Sequence, residues 1–341
     1  MAYRYVFGPV RSGRLGLSLG LDLLGDTVCT LDCVYCEVGR TCHLVTERKP
    51  YVPASQLLEE LTRWKEEAHQ IPDFVTLGGK GEPTLNSDIG AIIEGIRTIF
   101  PDTPVAVLTN STLMHDPTVR RELALADAVL PSLDTLVPSE MRRLNRPHGD
   151  VTISALTTGL AAFRKEFGGR LLLEVLLVAG TNDSDENLAL LRDFIAELRP
   201  HRVDVVTMTR PGTLTTARPV QPETLARWQK ALGPLAIRDT SDEAPGDVKT
   251  TSRKSEARQF SSDAAAKNGA EHTARPAAAD DAALERVAGS IERRPQTAAQ
   301  LAEALDLPLA AVLAAIEALD AEGRLRTTGN AEHAFFALDK G

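Results

Sequence analysis

Three of the chain's four cysteines fall in one short run, Cys29-Thr-Leu-Asp-Cys33-Val-Tyr-Cys36, spaced C-x3-C-x2-C. Three thiolates leave a four-coordinate structural zinc one ligand short. They suit a 4Fe-4S cubane in which one iron stays open to a ligand from outside the protein. Two other assignments stand beside this one. Cys42 or His43 could complete a zinc knuckle, although zinc ligands usually come as separated pairs. Cys42 could also be the fourth thiolate of an electron-transfer cluster, although bacterial ferredoxin runs have two-residue gaps and a proline after the last cysteine. Four cysteines in 341 residues do not make a disulfide framework.

With an aromatic residue, Tyr35, directly before its last cysteine, the run resembles the signature of the radical S-adenosylmethionine (SAM) enzymes. The resemblance implies that Cys29, Cys33 and Cys36 ligate the cluster and that Tyr35 packs near the adenine. It also implies that SAM chelates the open iron through its amino nitrogen and carboxylate. An electron from a carrier such as flavodoxin or ferredoxin would then break a carbon–sulfur bond and yield a 5′-deoxyadenosyl radical. A second element, Gly78-Gly-Lys-Gly-Glu-Pro-Thr-Leu85, follows an apolar strand. Glycines at a strand end let backbone groups approach a ligand, and a carboxylate there can bind an ammonium group, although an ordinary tight turn has the same composition. It is similar to the Gly-Gly-Glu element of that family. Gly79, Gly81, Glu82 and Pro83 are thus expected at the methionine end of SAM, with Lys80 in place of the usual first glycine. The opening Tyr5–Gly16 is similar to a branch related to the wyosine-synthesis enzymes of transfer RNA, with Gly13 where that branch usually has arginine.

Later strand ends add candidates. Asn110, in Thr109-Asn110-Ser111, and Ser132 and Asp134, in Ser132-Leu-Asp134, have the short polar side chains that suit the ribose hydroxyls and carboxylate of SAM, and equally those of ordinary turns. Glu174 interrupts Leu171–Val178, which is otherwise apolar on both faces, so its carboxylate needs a partner. That partner is either a cofactor or substrate in the lumen or a structural cation. Arg142, Arg143, Arg146 and Arg210 could clamp a carboxylate or phosphate, or simply form solvated basic loops. Cys42 alone cannot hold a second cluster.

The elements that must position these residues alternate. Helical periodicity at 53–70, 89–100, 117–125, 153–167, 186–198 and 222–232 is interleaved with short apolar strands at 74–78, 105–109, 128–131, 171–178 and 203–207. Such alternation predicts parallel strands with helical crossovers. Counting the strand before the cysteines there are six βα units, matching the partial (β/α)6 barrel that the resemblance implies. Chemistry in barrels gathers at the carboxyl ends of the strands, where the cysteines and the glycine-rich element fall.

The barrel is expected over 1–239. From 240 to 280 large apolar residues nearly vanish, as in a flexible mixed-charge linker. Residues 281–341 read as three amphipathic helices and a hairpin turning at Gly329-Asn330, an arrangement resembling a winged helix. Its third helix, 308–322, has Glu317, Asp320 and Glu322 and no basic residue, which argues against duplex DNA and for a protein-contact, dimerising or substrate-presenting role. A net charge of -9 excludes a generic nucleic-acid coat or anionic-membrane binder. Neither a secretory leader nor a bilayer-length apolar run is evident, so a cytoplasmic protein is expected. The competing class is an iron–sulfur redox or iron sensor acting through the carboxyl-terminal unit. The substrate stays open among RNA, a protein side chain and a small metabolite.

Overall fold

The computed structural model describes residues 3–67, 70–236, 281–293, 295–330 and 333–338. The linker expected at 240–280 lies outside the described residues. The amino-terminal segment forms a hairpin of β1 (Val6–Ser12) and β2 (Gly16–Asp22), followed by the short β3 (Val28–Cys29) and β4 (His43–Leu44). Then come α1 (Ala54–Glu67), β5 (Phe74–Gly78), α2 (Ile89–Ile99), β6 (Val105–Thr109), α3 (Pro117–Leu123) and β7 (Ala128–Pro131). The unit continues with α4 (Pro138–Leu144), α5 (Ile153–Glu166), β8 (Arg170–Leu177), α6 (Asp185–Leu198), β9 (Arg202–Thr207) and α7 (Pro222–Leu232).

The main sheet has the order β1-β2-β5-β6-β7-β8-β9. All neighbours from β2 to β9 are parallel, and β1 is antiparallel to β2. The six expected βα strands are therefore present as a partial barrel, with one strand more than expected at the β1 edge. That strand was hidden by its composition: Gly8 and Pro9 sit inside it, a combination tolerated at a sheet edge, and its register shifts between Phe7 and Val10.

The helices form because their apolar residues share one face. Ile89, Ile92, Ile93 and Ile96 of α2, for example, are all buried. Starts are set by chemistry at the first turn, as where the Asp116 carboxylate accepts from Thr118 N at 2.7 Å with Pro117 at the first helical position. The main core lies between these helices and the sheet. Strand alternation turns Leu172 to the face opposite Leu171 and Leu173. There, with Leu15, Ala106, Ala128 and Leu130, it makes a smaller apolar cluster in the concave interior.

The carboxyl-terminal unit consists of α8 (Asp281–Arg293), α9 (Ala298–Leu305), α10 (Leu309–Ala321), β10 (Leu325–Asn330) and β11 (His333–Leu338). Its core is formed by Val287, Ile291, Leu301, Leu305, Val312, Ile316 and Leu319. Thr297 and Gln300 make the expected capping box. The hairpin register corrects one expectation. Gly329 and Asn330 pair with Ala334 and His333, so they end a strand, and the connection at 331–332 lies outside the described residues.

Candidate functional site

The three cysteines lie at the carboxyl end of the barrel strands, on a loop held by many backbone bonds as well as by its own side chains. Val28 O accepts from Glu82 N at 3.1 Å and Cys29 O from Val45 N at 3.0 Å. Thr30 O accepts from His148 N, and Asp32 N and Val34 N donate to Asn145 O and Leu144 O, each at 2.9 Å. From the loop after β9, Leu214 N donates to Val34 O at 3.0 Å and the Thr213 hydroxyl to Cys33 O at 2.9 Å. Two glycines permit this closeness. A Cβ on Gly81 would lie 1.8 Å from Val28 O, and one on Gly212 would lie 2.5 Å from Val34 O.

All three thiols are partly covered, and burial is the largest influence raising each. Cys29 is pushed up to about 12, with the Glu82 carboxylate adding to the effect. Cys33 is raised further by Cys29 and Cys36, and Cys29 by Cys36, so the three thiols lie within electrostatic reach of one another. Thiolates in such surroundings need a cationic partner, and three soft donors with no fourth match iron that keeps one position open. Cys42 is exposed with its Sγ 3.9 Å from Arg40 O, and His43 Nε2 sits 3.7 Å from an Asp26 carboxylate oxygen. Among the described residues, no three His, Cys, Asp or Glu side chains gather as one metal ion would require.

Two asparagines touch the sulfurs. Asn110 Nδ2 lies 3.4 Å from Cys29 Sγ, and Asn145 Nδ2 lies 3.4 Å from Cys33 Sγ. Asn145 also donates to Asp134 Oδ2 at 3.0 Å, and the Tyr35 hydroxyl donates to the same oxygen at 2.5 Å. Burial raises both Asp134 and Tyr35 from their ordinary values. Tyr35, Asn110, Ser132, Asp134 and Asn145 share the lining of a cavity of about 50 Å³ beside the cysteine loop. A larger cavity, about 360 Å³, runs along β9 by Arg14, Asp204 and Gln229, and no cysteine-loop residue lines it.

Glu82 is 1 % exposed and fully engaged from within. Its Oε1 accepts from the hydroxyls of Thr84 (2.6 Å) and Thr109 (2.7 Å) and from Thr84 N (3.1 Å), and its Oε2 from Asn110 N at 2.6 Å. The carboxylate thus caps the 3₁₀ turn starting at the buried Pro83 and ties the end of β5 to that of β6. Gly79 has φ +129°, and a Cβ there would meet the Asp22 side chain at 3.0 Å. Asp22 is itself buried and accepts from Leu24 N.

Glu174 is met by Arg14, from the β1–β2 turn across the lumen. The structural cation is therefore the partner that geometry supplies. Burial raises the Glu174 carboxyl and Arg14 lowers it. A raised folded value means the folded chain holds this proton more tightly than the unfolded chain. Its stabilising share is thus present at low pH and lost as pH climbs from the ordinary carboxyl range through the raised value. Arg14→Leu removes the lowering influence and widens that window. Because Arg14 is about one-third exposed, the variant is expected to be destabilised by only about 1–2 kcal/mol more at pH 8 than at pH 5, read from denaturant midpoints.

The basic segments are also engaged internally. Arg210 Nη1 lies 2.9 Å from Glu37 Oε2, Arg146 Nη1 lies 3.8 Å from Asp32 Oδ2, and Arg143 donates to Thr181 O at 3.1 Å; Arg142 is exposed. Asp134 is the carboxylate of the Ser132-Leu-Asp134 strand end that the sequence offers, whereas Asn145 is not singled out there. The available signal was position: each falls just after a barrel strand or its following helix, where polar side chains reach the lumen.

The radical SAM superfamily model matches residues 27–195. The UPF0026 protein slr1464 of Synechocystis is 37% identical over 210 residues, which cover 61% of this chain and 77% of that protein. The UPF0026 protein MJ1312 of Methanocaldococcus jannaschii is 31% identical over 222 residues, covering 65% and 68%. Among solved structures, a radical SAM methyltransferase from Sphaerobacter thermophilus superposes with a TM-score of 0.51 at 20% identity, covering 64% of each chain. With the superfamily model matched over residues 27–195 and relatives of 31–37% identity covered over two thirds or more of their length, the chain belongs to the radical SAM superfamily.

Proposed function

We propose that Cys29, Cys33 and Cys36 hold the 4Fe-4S cluster of this radical SAM enzyme and that the Gly79–Pro83 turn with Asn110 and Ser132 lines the SAM site. The observation that carries the reading is a loop fixed to the ends of several barrel strands that holds three thiols within electrostatic reach of one another. When bound, the cluster supplies one electron to SAM and thereby a 5′-deoxyadenosyl radical able to take a hydrogen atom from substrate. The chain's own residues bind and orient. Glu82 fixes the Gly81–Leu85 turn against β6 and the Asn110 backbone, and so acts as a positioning residue. Tyr35 is aimed at Asp134 and forms one wall of the small cavity. Ser132 forms another, while Glu174, paired with Arg14, is the further candidate for a cofactor or substrate contact.

Family membership favours this enzyme reading over the sensor. The division into a barrel at 1–239, a linker at 240–280 and a winged-helix-like unit at 281–341 is part of the same proposal. The last unit is read as a protein-contact module, because α10 has no Lys or Arg. Among the described residues no helix is long and apolar enough to cross a membrane, and the proposed location is the cytoplasm. The electron would come from a low-potential carrier such as a flavodoxin or ferredoxin. Substrate chemistry in the transfer-RNA class follows only from the likeness of the amino-terminal segment to the wyosine-related branch.

The test is anaerobic reconstitution with iron and sulfide, then dithionite and SAM. The expected products are 5′-deoxyadenosine and methionine. An intact cluster that leaves SAM uncut, even with cell extract as a source of substrate, would refute the reading.

A further inference from the structure

We propose that Asn110 and Asn145 set the reduction potential of the cluster by donating side-chain N–H bonds to the sulfurs of Cys29 and Cys33. The proposal rests on those cysteines being ligands. Both amides are fixed with nitrogen toward sulfur. Asn110 Oδ1 accepts from Thr112 N at 3.1 Å and from its hydroxyl at 2.7 Å, which leaves Nδ2 to face Cys29 Sγ and Thr30 Oγ1, at 3.4 and 2.8 Å. Asn145 Nδ2 lies between Asp134 Oδ2 and Cys33 Sγ, where an amide oxygen would face a carboxylate. The Asn145 backbone carbonyl accepts from Asp32 N, one residue before Cys33, so the amide and its target are held by the same joint.

Adding an electron to a 4Fe-4S cluster increases the negative charge on its thiolate sulfurs. An N–H bond aimed at such a sulfur therefore favours the reduced form. Buried carboxyl groups of Glu82 and Asp134 lie close by and oppose reduction whenever they are ionised. The two amides offset them at two ligands. At Cys36 the bonds come from the backbone N–H groups of Val38 and Gly39, as Cys29 also takes bonds from those of Thr30 and Leu31, and side-chain substitution leaves these in place. Control through side chains is thus confined to Cys29 and Cys33.

The experiment is a dithionite titration of the reconstituted full-length chain without SAM, followed by electron paramagnetic resonance. Each oxidised cluster takes one electron from the reductant. Asn145→Leu and Asn110→Leu are each expected to lower the ratio of reduced to oxidised cluster about tenfold at a fixed poise, about 59 mV more negative for one electron. Iron content should stay at the wild-type level. Iron-replete variants with less than about a twofold change in that ratio overturn the proposal. Should the variants fail to load, the wild-type chain grown with [15N]asparagine decides: pulsed resonance of the reduced cluster should detect coupling to asparagine nitrogen, and its absence overturns the idea. A wild-type chain that takes up no iron would instead remove the ligand assignment, and this inference with it.

Discussion

Cys36→Ala is expected to give a folded chain that holds no 4Fe-4S cluster and forms 5′-deoxyadenosine only at background. With one of three thiolates gone, two iron positions lack a protein ligand. The remaining sulfurs of Cys29 and Cys33 lie where burial favours the protonated thiol. Mutating a residue that merely supports a metal ligand typically costs about 10–100-fold in affinity or activity, so loss of a ligand itself should exceed 100-fold. The fold should survive, because the cysteine loop is tied down by backbone bonds that do not involve the Cys36 side chain. Iron and sulfide analysis alongside chromatography of the nucleoside products reads the result. Cys42→Ala is the control: its side chain is exposed, and it should load and react as the wild type does. Full iron retention in Cys36→Ala would refute the assignment.

Gly81→Ala should be the most damaging single-carbon change at the site. The added methyl would sit 1.8 Å from Val28 O and 2.7 Å from Val28 C, both backbone atoms of the residue before Cys29. Neither can move without breaking the Glu82 N to Val28 O bond or shifting the cysteine itself. Overpacking against a fixed backbone costs about 3 kcal/mol or more, lowering the melting midpoint of the metal-free chain by about 6–12 °C. Cluster occupancy should fall with it. Gly149→Ala, with nothing within 4 Å of the added carbon, should leave the midpoint unchanged. Equal melting and equal iron in the two variants would show that the glycine-rich turn does not abut the cysteines.

Much of the framework was readable because it repeats. Short apolar strands between helices with one apolar face predict parallel pairing, and β5, β6 and β7 occupy the expected residues. What escaped was either local and irregular or distant in the chain. Strand β1 was obscured by its glycine and proline, and α4 by its seven-residue length and its place in a polar stretch. The conflict at Glu174 was legible as a charge in an apolar strand, but its partner Arg14 lies 160 positions away, and no periodicity links them. Asn145 looked like one polar residue in a basic loop. Its meaning comes from a contact 112 positions distant, to Cys33, which only the folded chain creates.

The loop carrying the cysteines is held by bonds from four neighbouring segments. In small zinc modules the metal and the fold arrive together, and a chelator unfolds both. Here, damage to the inorganic core by oxygen should leave a shaped and waiting socket. Iron and sulfide under reducing conditions should then restore the cluster without refolding of the polypeptide.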